Sequence, residues 1–107
     1  MWLLTVTACG SNLGSVTKVH WGRLVDKQLG RVPDIIARKF RIWVTLAEES
    51  GIREMRRCKG FHDEPLKGQR QGQRSVRLNK AYRAIYVEQE MGEIELIEVL
   101  EVNKHEY

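Results

Sequence analysis

A chain of 107 residues with 42% hydrophobic and 30% charged side chains can bury one core but not two, and its composition is neither fibrous nor disordered. The net charge of +4 hides a division: residues 53–83 hold ten Lys or Arg against three Asp or Glu, whereas residues 84–107 hold one against seven. Such a basic segment fits a polyanion or an acidic protein surface, and with no run near the ~20 apolar residues of a bilayer span, no membrane partner is expected.

In chain order, the apolar run of MWLLTVTACGS lasts about six residues with no basic residue before it, so neither a signal peptide nor lipidation at Cys9 is expected. Residues 1–15 are expected to be a loosely attached extension, leaving 16–107 as the single domain. Cys9 and Cys58 lack the His and Cys neighbours of a tetrahedral metal site, and a reduced, cytoplasmic setting is expected. Val16 to Trp21 alternates and is rich in β-branched residues, which predicts a strand. Leu24, Val25, Gln28, Leu29 and Val32 share one helical face up to Pro33, which cannot continue that helix but suits the first turn of another. Ile36, Phe40, Trp43, Val44 and Ala47 then form a buried stripe that Gly51 stops.

Beyond Gly51 the pattern changes. Gly60, Pro65, Gly68 and Gly72 break any helix, although Lys67, Arg70, Arg74, Arg77, Lys80 and Arg83 recur at helical spacing. A loop and then strands are predicted, with Val76 and Leu78 on one face and Ser75 and Arg77 on the other. A turn or bulge follows at Asn79-Lys80, then a strand over 82–88, a turn at Gly92 and a strand over 94–102. The Leu96, Ile97, Leu100 spacing of the last segment also fits a helix; its β-branched residues favour the strand. The expected fold class is α+β: an N-terminal strand, a helical hairpin, then an antiparallel three- to four-stranded sheet with the helices on one face.

Taken in order, the strand, the helical hairpin, "EPLKG", "GQRSVRL", "AYRAIY" and the terminal "NKHEY" resemble the RelE/YoeB-type toxins of bacterial toxin–antitoxin systems, over residues 16–107. The resemblance implies a microbial-RNase-like fold and an endoribonuclease that needs no metal or other cofactor. It implies cleavage of mRNA in the ribosomal A site, and a cognate antitoxin as partner.

That chemistry needs a base for the 2′-OH proton, an acid for the departing 5′-oxygen, and fixed cations for the charge on phosphorus. Glu64 stands where the YoeB branch carries its carboxylate, before Pro65-Leu66-Lys67, and is the candidate base. Arg83 in "AYRAIY" matches an arginine of the family, and Arg77 offers a second cation from the preceding strand. Guanidinium groups bind two phosphate oxygens at once; an ion pair with the acidic 84–107 segment is the alternative use of either. His105 is the candidate acid, and Tyr107 a candidate to orient phosphate or stack on a base. Glu106 separates them where the YoeB branch has His and Tyr adjacent, so their roles can be exchanged. Lys67, Arg70, Arg74 and Lys80 are candidate contacts to the RNA backbone. His62 and Asp63 are placed to join the site, His20 is not, and no metal site is expected. Two other readings stay open. One is a non-cleaving module that binds ribosomal RNA or the antitoxin. The other is a DNA-binding regulator, disfavoured because the basic residues fall on loop and strand instead of a recognition helix.

Overall fold

The structure, a computed structural model, describes residues 16–104. The extension over 1–15 and the candidate residues His105 and Tyr107 lie outside the described residues. Strand β1 (Val16–Trp21) leads into α1 (Arg23–Leu29), α2 (Asp34–Ser50) and the short α3 (Ile52–Met55). The chain then enters the two-residue strand β2 (Glu64–Pro65), followed by β3 (Gln73–Arg77), β4 (Tyr82–Met91) and β5 (Ile94–Lys104). These strands form one α+β sheet in the order β1-β5-β4-β3-β2. The antiparallel part agrees with expectation; the full sheet has five strands, because β1 joins it by pairing parallel to β5. No described helix is long and apolar enough to cross a membrane.

The helices cover one face of the sheet. In α1, Val25 is buried and Leu29 packs on the core, as does Val32 beyond the helix, but Leu24 is exposed. It stands one helical step off the stripe. The helix also ends at Leu29 instead of continuing to Pro33: Gly30 caps it, and the Arg31 and Val32 amides both donate to the Gln28 carbonyl at 3.0 Å. In α2, Ile36, Phe40, Trp43 and Ala47 are buried as the spacing predicts. Burying a side chain such as Phe40 contributes about 1.5–3 kcal/mol. Gly51 ends the helix at φ 92°, a conformation that side chains with a β-carbon disfavour. It delivers the Ile52 amide to Thr17 Oγ1 at 3.0 Å, tying α3 to β1. A run of rings joins the layers: Trp21 meets Phe40 edge-on at 5.1 Å, Phe40 lies 6.2 Å from Trp43, and Trp43 lies 5.5 Å from Tyr86 on β4.

Facing these helices are Val76, Leu78, Ala84, Tyr86, Ile97, Val99 and Val102. Strict alternation would send Val99 and Val102 to opposite faces. The register shifts there, from Tyr86 opposite Val99 to Ile85 opposite Glu101, so Leu100 is a bulged residue and both valines reach the core. The Val102 amide, past the last β1 pair, donates to Gln28 Oε1 at 2.7 Å. The same bulge turns Glu101 and Asn103 onto the face that carries no helix, opposite Ile85 and Arg83.

Candidate active site

The β3–β4 hairpin sets Arg77 directly opposite Arg83. Its turn is held by Asn79, whose Oδ1 accepts the Ala81 and Tyr82 amides at 2.7 and 2.8 Å, an Asx turn of the kind this residue favours. The Leu78 and Asn79 amides donate to the Tyr82 carbonyl at 2.9 and 3.2 Å. On the other side of β3, β2 places Glu64 opposite Ser75. Because side chains alternate along a strand, Glu64, Ser75, Arg77 and Arg83 all share the helix-free face. A cleft of about 200 Å³ lies over them. It is lined by five residues named as candidates from the sequence, His62, Glu64, Arg77, Lys80 and Arg83, and also by Ser75, Asn79 and Tyr82.

Two like charges directly opposite on a sheet repel. Elsewhere in the basic segment the arginines are neutralised. Arg53 pairs with Glu90 and Glu95 at 3.3 and 3.2 Å, Arg56 with Glu88, Arg70 with Glu101 at 2.6 Å and Arg74 with Asp63 at 2.6 Å. Among the described residues, Glu64, Arg77, Lys80 and Arg83 form no ion pair within 4 Å. The cleft thus gathers three cations and a carboxylate that form no ion pair among the described residues, although the charge of Arg83 reaches Glu101. An anion lying between the arginines with a proton-bearing group near Glu64 satisfies both signs at once.

Asp63 and Glu64 point to opposite sides of the chain. The Asp63 carboxylate is fully buried, accepting from Arg74 Nε and from the Tyr86 hydroxyl, both at 2.6 Å. Arg56 Nε in turn donates to the Tyr86 oxygen at 3.3 Å. Burial, and then the Asp63 carboxylate, push the Tyr86 phenol above its ordinary value, so it stays a neutral donor. Two expectations are corrected here. Asp63 does not join the cleft. Arg74, one residue from Ser75 and therefore on the reverse face, is ion-paired with Asp63 and does not line the cleft.

Lys67 is exposed but does not line the cleft. Arg70 reaches the helix-free face but is engaged there, donating to Glu101 at 2.6 Å and to Gln73 Oε1 at 2.8 Å. Glu101 was legible only as one acid of the tail segment. Burial pushes its carboxyl up, but hydrogen bonds from Arg70 and Asn103 and the charges of Arg70 and Arg83 outweigh this and hold it below its ordinary value. A carboxylate depressed in the fold contributes stability that is present above its unfolded pKa and lost as pH falls through its folded one. Glu101→Gln should therefore destabilise by about 1 kcal/mol or less at about pH 7, the pair being partly exposed, and by almost nothing at about pH 2.5. Urea midpoints of both proteins at the two pH values check this; an equal difference at both would exclude the charge as its cause.

No protein-family model matches the chain, and no curated protein matches it in sequence. Its shape, however, is similar to solved structures. The YoeB/ParE toxin from Agrobacterium tumefaciens superposes with a TM-score of 0.58 at 20% identity, over 83% of this chain and 99% of that one. A chain of the toxin–antitoxin complex RelBE2 from Mycobacterium tuberculosis does so with 0.61 at 17%, over 84% and 99%. YafQ from E. coli gives 0.59 at 14%, over 83% and 93%. A five-stranded sheet with helices on one face and the cleft on the other is thus set in a known architecture: the chain has the fold of the RelE/YoeB-type toxins.

Proposed function

We propose that this chain is the toxin of a toxin–antitoxin pair and that it cuts messenger RNA on the ribosome at the cleft of Glu64, Arg77 and Arg83, without a metal ion. The observation that carries this reading is the pair of arginines facing each other beside Glu64, none of the three in an ion pair within 4 Å among the described residues. In this reading the two guanidinium groups hold the non-bridging oxygens of one phosphodiester. Glu64 takes the 2′-OH proton as the 2′-oxygen attacks phosphorus. Lys80 adds charge at the rim, and Lys67 and Arg70 sit outside the reacting centre as backbone contacts. His105 and Tyr107, to which the resemblance gives the roles of acid and phosphate orienter, follow β5 in the sequence and lie outside the described residues.

An antitoxin partner is supported by two structures of like fold, RelBE2 and DinJ–YafQ, which are toxin–antitoxin complexes. In this chain α2 leaves Ile35 and Ile42 exposed, with Arg38 and Arg41 exposed on the same helix. That combination suits an acidic amphipathic segment, which would continue over the basic groove between Lys67 and Arg83. Ribosomal mRNA as substrate places the activity in the cytoplasm.

The test is induction of the chain in cells without its neighbouring gene product, with 5′ ends of messenger RNA mapped before and after. Growth arrest with new, codon-phased ends is the expected result. Unchanged transcripts would contradict cleavage and leave the non-cleaving binding module.

A further inference from the structure

The expected proton donor, His105, lies outside the described residues, yet the cleft already contains an imidazole. His62 lines it together with Glu64, Arg77 and Arg83. Four consecutive residues explain how it comes to be there. Phe61 is buried in the core, His62 is exposed, the side chain of Asp63 is fully buried and Glu64 is exposed. Two side chains anchor the segment inward, and the two between and after them face the cleft. The backbone is fixed as closely as the side chains. His62 has φ 46°, the one positive φ outside glycine among the described residues, and its amide donates to the Lys59 carbonyl at 3.1 Å. A left-handed conformation at a non-glycine residue costs free energy and persists where the surroundings impose it, often at functional sites. Here the surroundings are Phe61 on one side and the Asp63 clamp to Arg74 and Tyr86 on the other.

We propose that His62 is the general acid of the cleft, donating its proton to the 5′-oxygen as the P–O5′ bond breaks. This rests on the reading of the cleft as a phosphodiester-cleaving site. The step balances: the 2′-oxygen bonds to phosphorus, its proton passes to Glu64, the 5′-oxygen leaves with the proton of His62, and the products end in a 2′,3′-cyclic phosphate and a 5′-hydroxyl. No further reactant is needed. Imidazole is suited to the role because its charge changes between about pH 5 and 8. The charged and titratable groups that share the cleft with it are Glu64, Arg77, Lys80, Tyr82 and Arg83, with Lys59 on the preceding turn. The inference makes Asp63 a positioning residue, since its buried carboxylate holds the segment that carries both proton-transfer groups.

The experiment measures RNA cleavage by the full chain, in whichever of the free or ribosome-bound forms the parent cuts, between about pH 5 and 9 for the parent, His62→Asn, His62→Gly and His105→Gln. Asparagine and glycine both accept the left-handed backbone, so the fold is kept; thermal melting checks it. The expected result is a loss of about 10² to 10⁴ fold for both His62 variants, disappearance of the alkaline limb of the pH profile, and RNA binding nearly unchanged. Imidazole added to the buffer should restore part of the rate to His62→Gly, which a purely structural role for the residue would not allow. Cleavage by His62→Asn at the parental rate with the alkaline limb intact overturns the assignment while leaving the cleft a nuclease. If His105→Gln alone abolishes that limb, the acid is His105. A parent that cuts no RNA in either form overturns the functional reading, and this proposal with it.

Discussion

Asp63→Ala should destabilise the fold by about 3 kcal/mol. Removing one partner of a buried ion pair typically costs 3–5 kcal/mol, because the remaining charge is left without compensation. The lower end applies because Arg74 keeps 26% of its side chain in solvent and can recover some hydration, whereas Asp63 has none. The Tyr86 hydroxyl loses its acceptor as well, and its ring is wedged against Trp43, so the damage reaches the aromatic core. Asp63→Asn, which keeps the shape and one acceptor, should cost less than the alanine. Urea unfolding with an unchanged m-value measures both. A loss within about 0.5 kcal/mol for the alanine, the range of ordinary surface substitutions, would show that the clamp is not a structural anchor.

Much of this site was legible in the sequence, and what was not follows a pattern. Alternation over Ser75, Val76, Arg77 and Leu78 fixed which side chains share a face, and the strand, the helical hairpin and the buried stripe of α2 came from local periodicity alone. Local rules failed wherever a long-range partner decided. The pairing of β1 with β5 joins residues at the two ends of the described chain, and nothing within Val16 to Trp21 specifies it. The bulge at Leu100 exists to bring Val99 and Val102 to one face, a demand of the core that the "ELIEVLEV" pattern expresses as ambiguity between strand and helix. In the basic segment, counting charges could not separate Arg74, which is neutralised from beneath by Asp63, from Arg77, which is not. Asp63 and Glu64 are adjacent acids with the same chemistry. Only their opposite directions make one an anchor and the other a candidate base.

Glycine and asparagine positions were informative for the same reason. Gly51 at φ 92° ends α2 where expected. Asn79, expected only to mark a turn, also lines the cleft, and its side chain sets the hairpin register that puts the two arginines face to face. His62 was named from the sequence only as a neighbour of Glu64, together with Asp63, and only the structure separates the two. A histidine can adopt a positive φ without any local motif, and its position in the cleft depends on two buried neighbours whose fates are settled by the core.

The central claim is that Arg83, with Arg77 and Glu64, stabilises the transition state of RNA cleavage, and one comparison tests it most directly. Cleavage of ribosome-bound messenger RNA by the parent and by Arg83→Ala is followed under single-turnover conditions beside binding measured at the same salt. Arg83 makes no ion pair in the fold among the described residues, so alanine should leave stability almost unchanged. A guanidinium aimed at charge that grows during reaction contributes more to the transition state than to the bound substrate. The account predicts a loss of on the order of a hundredfold or more in the cleavage rate, with binding weakened far less. Equal losses in both would make Arg83 an affinity contact, and cleavage by Arg83→Ala at the parental rate would contradict the account outright.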